Sequence, residues 1–116
     1  MSKSLKLCRT FLGKEVEVVI DRPIGSYHPQ FPLLYEANYG YIAGTIAPDG
    51  EEIDAYFLGE NLPLKKAKGK CIAILHNLNF DDDKLVVSNK PLTDAEIRNA
   101  IKFQDKWGFE YKIVRD

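Results

Sequence analysis

Tyr35-Glu36-Ala37-Asn38-Tyr39-Gly40-Tyr41-Ile42, followed by Pro48-Asp49-Gly50-Glu51-Glu52 and then Ile53-Asp54-Ala55-Tyr56-Phe57-Leu58, is the stretch on which the reading turns. Tyr39-Gly40-Tyr41-Ile42 opens a strand of aromatic and β-branched residues. Pro48-Asp49-Gly50 is a turn signal, and Ile53 to Leu58 returns as a strand, so Tyr39–Leu58 is predicted to be a hairpin. Tyr39 and Tyr41 alternate by two and share a sheet face, where a phenol can donate to an oxyanion or simply pin the wall of a barrel.

Upstream, Val16-Glu17-Val18-Val19-Ile20 is β-branched, lies between Gly13 and Pro23, and reads as a strand. Asp21 to Leu34 holds three prolines and a glycine and reads as a long structured loop. Downstream, Lys70 to Leu75 is a nearly continuous apolar run, hence a buried strand. Asp81-Asp82-Asp83 interrupts, and Lys84 to Ser88 is a fifth strand. Thr93 and Glu96 then form a capping box, Ile97, Ala100, Ile101 and Trp107 make an apolar stripe with Trp107 in the core, and Gly108 stops the helix. Phe109 to Val114 is a short final strand. Five short strands and one terminal helix predict a mainly β chain, a small barrel with a packed C-terminal helix, forming one domain over residues 1–116.

Composition narrows the function. Sixteen Lys+Arg against 17 Asp+Glu give a net charge of −1, so no broad cationic field exists to attract nucleic acid. No run of about 18 apolar residues is present, so no membrane span is expected. Met1-Ser2-Lys3-Ser4-Leu5-Lys6 lacks a secretory apolar core, and the two cysteines, Cys8 and Cys71, lack metal-ligand spacing. These features predict a cytoplasmic, reduced protein with Cys71 as a buried core thiol.

The placement of the acids carries more than their number. Asp49-Gly50-Glu51-Glu52-Ile53-Asp54 puts four acids in six residues, and Asp81-Asp82-Asp83 adds three. Both groups lie at strand ends. Clustered carboxylates without His or Cys suit a hard cation, Mg²⁺ first, with Mn²⁺ or Ca²⁺ next. An EF-hand is excluded, because the D-x-[DN]-x-[DN]-G spacing is absent. The bland alternative is two solvated turns. Against it, Asp82 and Lys84 fall on one face, as they would in a site holding both a metal and its phosphate, although such a pair can also be a surface ion pair of little consequence.

Tyr-x-x-Asn-Tyr-Gly-Tyr-Ile at Tyr35–Ile42, the acidic turn from Asp49 to Asp54, and Asp82-x-Lys84-Leu85 occur in this order and resemble the signatures of the soluble family I inorganic pyrophosphatases. The resemblance runs from about Val16 to Val87, and the chain looks like a member of a short, bacterial, pyrophosphatase-like subgroup. It implies a five-stranded OB-like barrel and Mg²⁺-dependent hydrolysis of pyrophosphate in a homo-oligomer. By position, Asp49, Asp54 and Asp82 look like core metal ligands, with Asp21 where the family has a Glu that holds metal-bound waters. Asn79 or Asp81 stands near a further family aspartate. Glu51 resembles the general base, so Glu51, Asp49 and Tyr39 form the implied catalytic group. Tyr39 and Lys84 look like donors to phosphate, with Arg22 and His28 the nearby cations in a shortened loop that in the family bears a Lys and an Arg. Lys102 or Lys106 would serve for a terminal Tyr-Lys pair that has no clean match. Two other readings follow: a hydrolase of another phosphorylated metabolite or nucleotide, admitted by the missing cationic hairpin, or a non-catalytic OB-like module binding single strands through aromatics. The acid clusters oppose the second. His76 ends the apolar strand and either reaches substrate or caps the strand.

Overall fold

The computed structural model describes residues 2–115. Alternating apolar residues in β1 (Glu15–Arg22) bury Val18 and Ile20, while Glu15, Glu17 and Asp21 stay exposed. β2 (Asn38–Ile42) and β3 (Ile53–Leu58) form the expected antiparallel hairpin. β5 (Lys84–Ser88) pairs parallel to β3, and β4 (Lys66–Asn77) pairs antiparallel to β5. Because β4 also pairs with β1, the order β1-β2-β3-β5-β4 closes into a five-stranded, OB-like barrel, with β6 (Tyr111–Val114) added at β4. Closure leaves these five strands no free edge along the paired stretches.

β4 is longer than its apolar run Lys70–Leu75. The lysine-rich start looks like surface loop in sequence, but it pairs with β1, setting Lys68 opposite Glu17 and Lys70 opposite Glu15. Opposite charges directly across an antiparallel pair support the extension.

Two apolar clusters fill the structure. Val18, Ile20, Ile42, Ile53, Phe57, Ile74 and Leu85 line one, and Tyr56, Leu75, Val86, Ile97 and Ile101 belong to the other. The second lies under the C-terminal segment. There α2 (Asp94–Ala100) begins with the predicted Thr93–Glu96 capping box. It does not run to Gly108: the chain tightens into a 3-10 segment, Lys102–Trp107, before Gly108 ends it in the left-handed conformation. This change of pitch takes Trp107 off the helical stripe. Trp107 is 44% exposed, so its expected core position is corrected.

A second helix, α1 (Lys3–Arg9), was not expected. Ser2 Oγ caps it by accepting from Leu5 N–H, and Leu5 and Cys8 bury one face. Its seven residues are too few to show a repeating stripe.

Gly40 answers a close approach of strands. A Cβ there would lie 1.7 Å from Val19 O of β1. Gly40→Ala is therefore expected to lose about 3 kcal/mol or more of stability, since backbone cannot retreat as a side-chain tip can. Urea unfolding reads this, and an unchanged midpoint would refute the close approach.

Cys8 and Cys71 are both free and buried. Burial, reinforced by the nearby Asp83 charge, pushes the Cys8 thiol up to about 12, and burial pushes Cys71 up to about 11. Thiolates are the reactive form. At pH 8 neither thiol should react with Ellman's reagent in the folded protein, and both should react in urea; prompt native labelling would contradict this packing.

Candidate active site

The β2–β3 turn carries the acids. Gly50 adopts φ +88°, a conformation open to glycine, and its N–H donates to Ala47 O at 2.9 Å. Asp49 Oδ1 accepts from Glu51 N–H at 3.0 Å, so the turn is stiffened by one of its own acids. Asp21, Tyr41, Asp49, Glu51, Glu52 and Asp54 then surround an open cleft of about 350 Å³.

Asp21 reaches this cleft through an irregularity in β1. Ile20 pairs with Gly40 and Arg22 with Tyr39, which leaves Asp21 as a bulge residue. A bulge re-aims a side chain without ending the strand. Asp21, Tyr41 and Asp54 are shared with a second, smaller pocket of about 170 Å³, whose wall also includes Arg22, His28, Tyr35 and Tyr39. Asp21, Asp49, Glu51 and Asp54 among the expected acids, and Arg22 and His28 among the expected cations, thus line two adjoining depressions.

Lys84 and Asp82 are in neither wall, but Lys84 bonds to Asp54, which lines both depressions, and to Tyr39, which lines the smaller. Its ammonium is 3.2 Å from Asp54 Oδ2 and 4.0 Å from Asp82 Oδ2, and it donates to Tyr39 Oη at 3.1 Å. The rings of Tyr39 and Phe109 flank the same ammonium at 5.3 and 5.5 Å. Burial opposes the Lys84 charge, but Asp54 and Asp82 outweigh it and hold its pKa above the ordinary value. Burial raises Asp82, with Lys84 pulling the other way and Asp54 and Asp49 adding to the rise. Burial, then the Asp54 charge, drives Tyr39 well up, so its phenol remains a donor.

Tyr39 is fixed from both sides, against Tyr35 at 5.6 Å and Tyr56 at 4.7 Å between ring centroids. Tyr56 O–H donates to Gln104 Oε1, tying the tyrosine layer to the 3-10 segment. Asn38, flanked by these tyrosines in sequence, is fully buried and has a structural task. Its Oδ1 accepts from Ile24 and Leu64 N–H, and its amide donates to Leu62 O. Thus it anchors the loops after β1 and β3.

Other expected positions lie elsewhere. Asp81 Oδ1 accepts from Ser4 N–H at 2.9 Å at the start of α1, and Asn79 donates to Glu110 Oε1 at 3.2 Å. Neither lines the acidic cleft, each side chain being engaged with a neighbouring segment instead, and Asp82 does not line it either. His76 Nδ1 lies 3.0 Å from Asp83 Oδ1, which favours its strand-end role. Lys102 is exposed, and Lys106 lies against the Trp107 ring at 5.9 Å. Tyr41, offered by the sequence as an oxyanion donor or a wall residue, lines both depressions, and Glu52 of the acidic cluster lines the larger; Tyr35, in the wall of the smaller, had no individual role in the sequence reading.

The donor set suits a hard, hydrated cation: carboxylate oxygens around a cleft with space for water. Among the described residues no three His, Cys, Asp or Glu side chains already converge on a point. Mg²⁺ commonly keeps several waters and takes only one or two carboxylates directly, so an open ring of acids fits it.

The closed barrel is found again among known proteins. The inorganic pyrophosphatase of Helicobacter pylori superposes with a TM-score of 0.64 at 16% identity, over 88% of this chain and 85% of that one. That of Neisseria gonorrhoeae gives 0.59 at 19%, over 89% and 83%. The fold is that of the inorganic pyrophosphatases. In sequence, the chain is 29% identical over 92 residues to the inorganic pyrophosphatase of Campylobacter jejuni, covering 76% of this chain and 51% of that protein. The chain thus spans about half the length of the curated relative it matches. No family model matches. The resemblance drawn from the sequence signatures is recovered by both kinds of comparison.

Replacing Lys84 by Met leaves Asp54 and Asp82 without their shared cation. Their side chains are 35% and 41% exposed, so water screens the loss to about 1 kcal/mol at neutral pH. The folded-state pKa of Lys84 is raised, so its contribution is complete below its ordinary value of 10.5 and disappears as pH rises through the folded value. The difference in urea midpoint between parent and Lys84→Met should hold from pH 7 to pH 9 and narrow above 10.5. Narrowing already below pH 9 would contradict the ion pairs.

Proposed function

We propose that this chain hydrolyses inorganic pyrophosphate to two phosphates with Mg²⁺, Mn²⁺ being the second candidate. The observation that carries the reading is the Lys84 junction, which joins a ring of acids to a pocket containing Arg22, His28 and Tyr39. Kinship in fold and partial sequence with inorganic pyrophosphatases supports it.

Asp49, Asp54 and Asp82 would hold the ion, with Asp21 at the cleft wall. Bound there, the ion supplies neutralising charge for the phosphates and acidifies the attacking water. Glu51, exposed on the turn, accepts the proton of that water. Tyr39 and Lys84 donate to phosphoryl oxygens as charge develops on them. Arg22 and His28 orient the far phosphate. Gln30 N–H donates to His28 Nδ1 at 3.0 Å, so the neutral ring carries its proton on Nε2 and can donate from there. The reaction joins the water oxygen to one phosphorus and breaks that phosphorus's bond to the bridging oxygen, which departs with the other phosphate.

The cleft on the barrel wall holds the proposed substrate; a homo-oligomer and a cytoplasmic setting complete the proposal. No helix among the described residues is long and apolar enough to cross a membrane.

Phosphate release from pyrophosphate by the purified chain, with and without Mg²⁺, tests the reading. Asp54→Asn should lower Mg²⁺-dependent turnover by at least about a hundredfold, the scale of losing a group that organises transition-state charge, with the urea midpoint little changed. Retained turnover would remove Asp54 from the site.

A further inference from the structure

We propose that the rim of this cleft binds the nucleoside of a nucleoside diphosphate, which is a pyrophosphate esterified at one end; the inference rests on the cleft being a phosphoanhydride-hydrolysing site. The cation supply is the first observation. The smaller pocket sets one cation, Arg22, with His28 as a neutral donor, against Asp21 and Asp54. Arg22 is partly spent, since it donates to Asp21 O at 2.9 Å and lies 3.8 Å from the Asp21 carboxylate. Lys84 is shared between Asp54 and Asp82. Esterifying one end of pyrophosphate removes an ionisable oxygen, and so lowers the charge these few cations must meet.

The second observation is an aromatic row leading outward from the same pocket. His28, in the pocket wall, lies 4.7 Å from Phe31, and Phe31 lies 5.7 Å from Trp107. Phe31 is 51% and Trp107 44% exposed. Two separate segments bring these rings together. The loop tip is closed by His28 N–H to Leu33 O and Leu33 N–H to Phe31 O. The 3-10 segment is seated through Phe103, which meets Tyr35 and Tyr56 edge-on. Rings held in place yet left half in water form a stacking surface, and every nucleobase offers a matching π face. Lys106 beside Trp107 adds a cation to that surface.

A ligand with a diphosphate at one end and a flat aromatic group at the other matches both parts. In the reaction, water bonds to the terminal phosphorus and the bond from that phosphorus to the bridging oxygen breaks. The bridging oxygen leaves on the nucleoside monophosphate, inorganic phosphate is the other product, and the water's proton passes through Glu51 to solvent.

The test compares ADP with pyrophosphate in Mg²⁺. Phe31→Ala and Trp107→Ala should each lower the ratio of kcat/KM for ADP to that for pyrophosphate about tenfold, and Trp107→Phe should restore most of it. Trp107 is the sole tryptophan, so its emission reports binding independently of turnover. The non-hydrolysable α,β-methylene-ADP should quench it saturably, and methylene diphosphonate should not. Cleavage of pyrophosphate with neither cleavage of ADP nor quenching overturns the shelf and leaves the pyrophosphatase reading intact. Saturable quenching that Phe31→Ala abolishes, with no cleavage of either compound, removes the hydrolytic reading and keeps the shelf. An ADP ratio indifferent to both alanine variants overturns the shelf.

Discussion

Asp54 of β3 stands directly opposite Lys84 of β5, and that parallel register governs the cleft. Parallel neighbours cannot be joined by a tight hairpin. Here the link is β4, which leaves β3, pairs with β1, and returns antiparallel to β5. The excursion that closes the barrel is thus the one that sets the second residue of β3 opposite the first of β5. Lys84 is only 13% exposed in its side chain, and an ammonium so enclosed is costly without partners. Asp54, Asp82 and Tyr39 supply them. A slip by one residue would turn Lys84 to the opposite face and leave two carboxylates facing each other, so charge and apolar pattern demand the same register.

The loop before β5 is held from two sides. Asp81 accepts from the start of α1, Asp83 N–H donates to Ser4 Oγ at 2.8 Å, and Asp83 Oδ1 accepts from Asn77 N–H at 2.8 Å. Asp82, between them, is the acid left beside Lys84. A run of three aspartates therefore divides its labour: the outer two fasten the loop to α1 and β4, and the middle one lies beside the Lys84 ammonium. This also accounts for α1, a helix too short to stand alone, whose docking is reciprocal with the loop it steadies.

The hairpin, the capping box and the Asp82–Lys84 pairing were legible in sequence because each rests on local spacing. Alternation and a glycine turn decide the hairpin, and a two-residue step decides which side chains share a face. What escaped depended on distant contacts. The start of β4 is a strand because Glu15 and Glu17 lie across from it. Asp81 leaves the cleft because a helix about eighty residues earlier takes its oxygen. Trp107 emerges because the helix changes pitch after Ala100. Asn38 was legible only as a member of the tyrosine signature, because its three bonds run to residues outside the strand.

The unequal state of the two halves of the cleft follows from how each is supported. The acids stand on strand ends and on the hairpin turn, and the strands constrain one another through closure. Shortening one strand would open the barrel and expose unpaired backbone. The loop between Pro23 and Leu34 is anchored at its start by Asn38 and beyond that is held by a few backbone bonds and a bridge between Tyr27 and Leu34. Changing the length of such a loop costs little, because closure entropy grows only logarithmically. The acids proposed to hold an ion are thereby locked to the fold, whereas the groups proposed to meet the rest of the substrate ride on the segment that most readily tolerates change. The loop that carries His28 and Phe31 is therefore where the proposed site can change at least cost to the barrel, ahead of the carboxylates that stand on its strands.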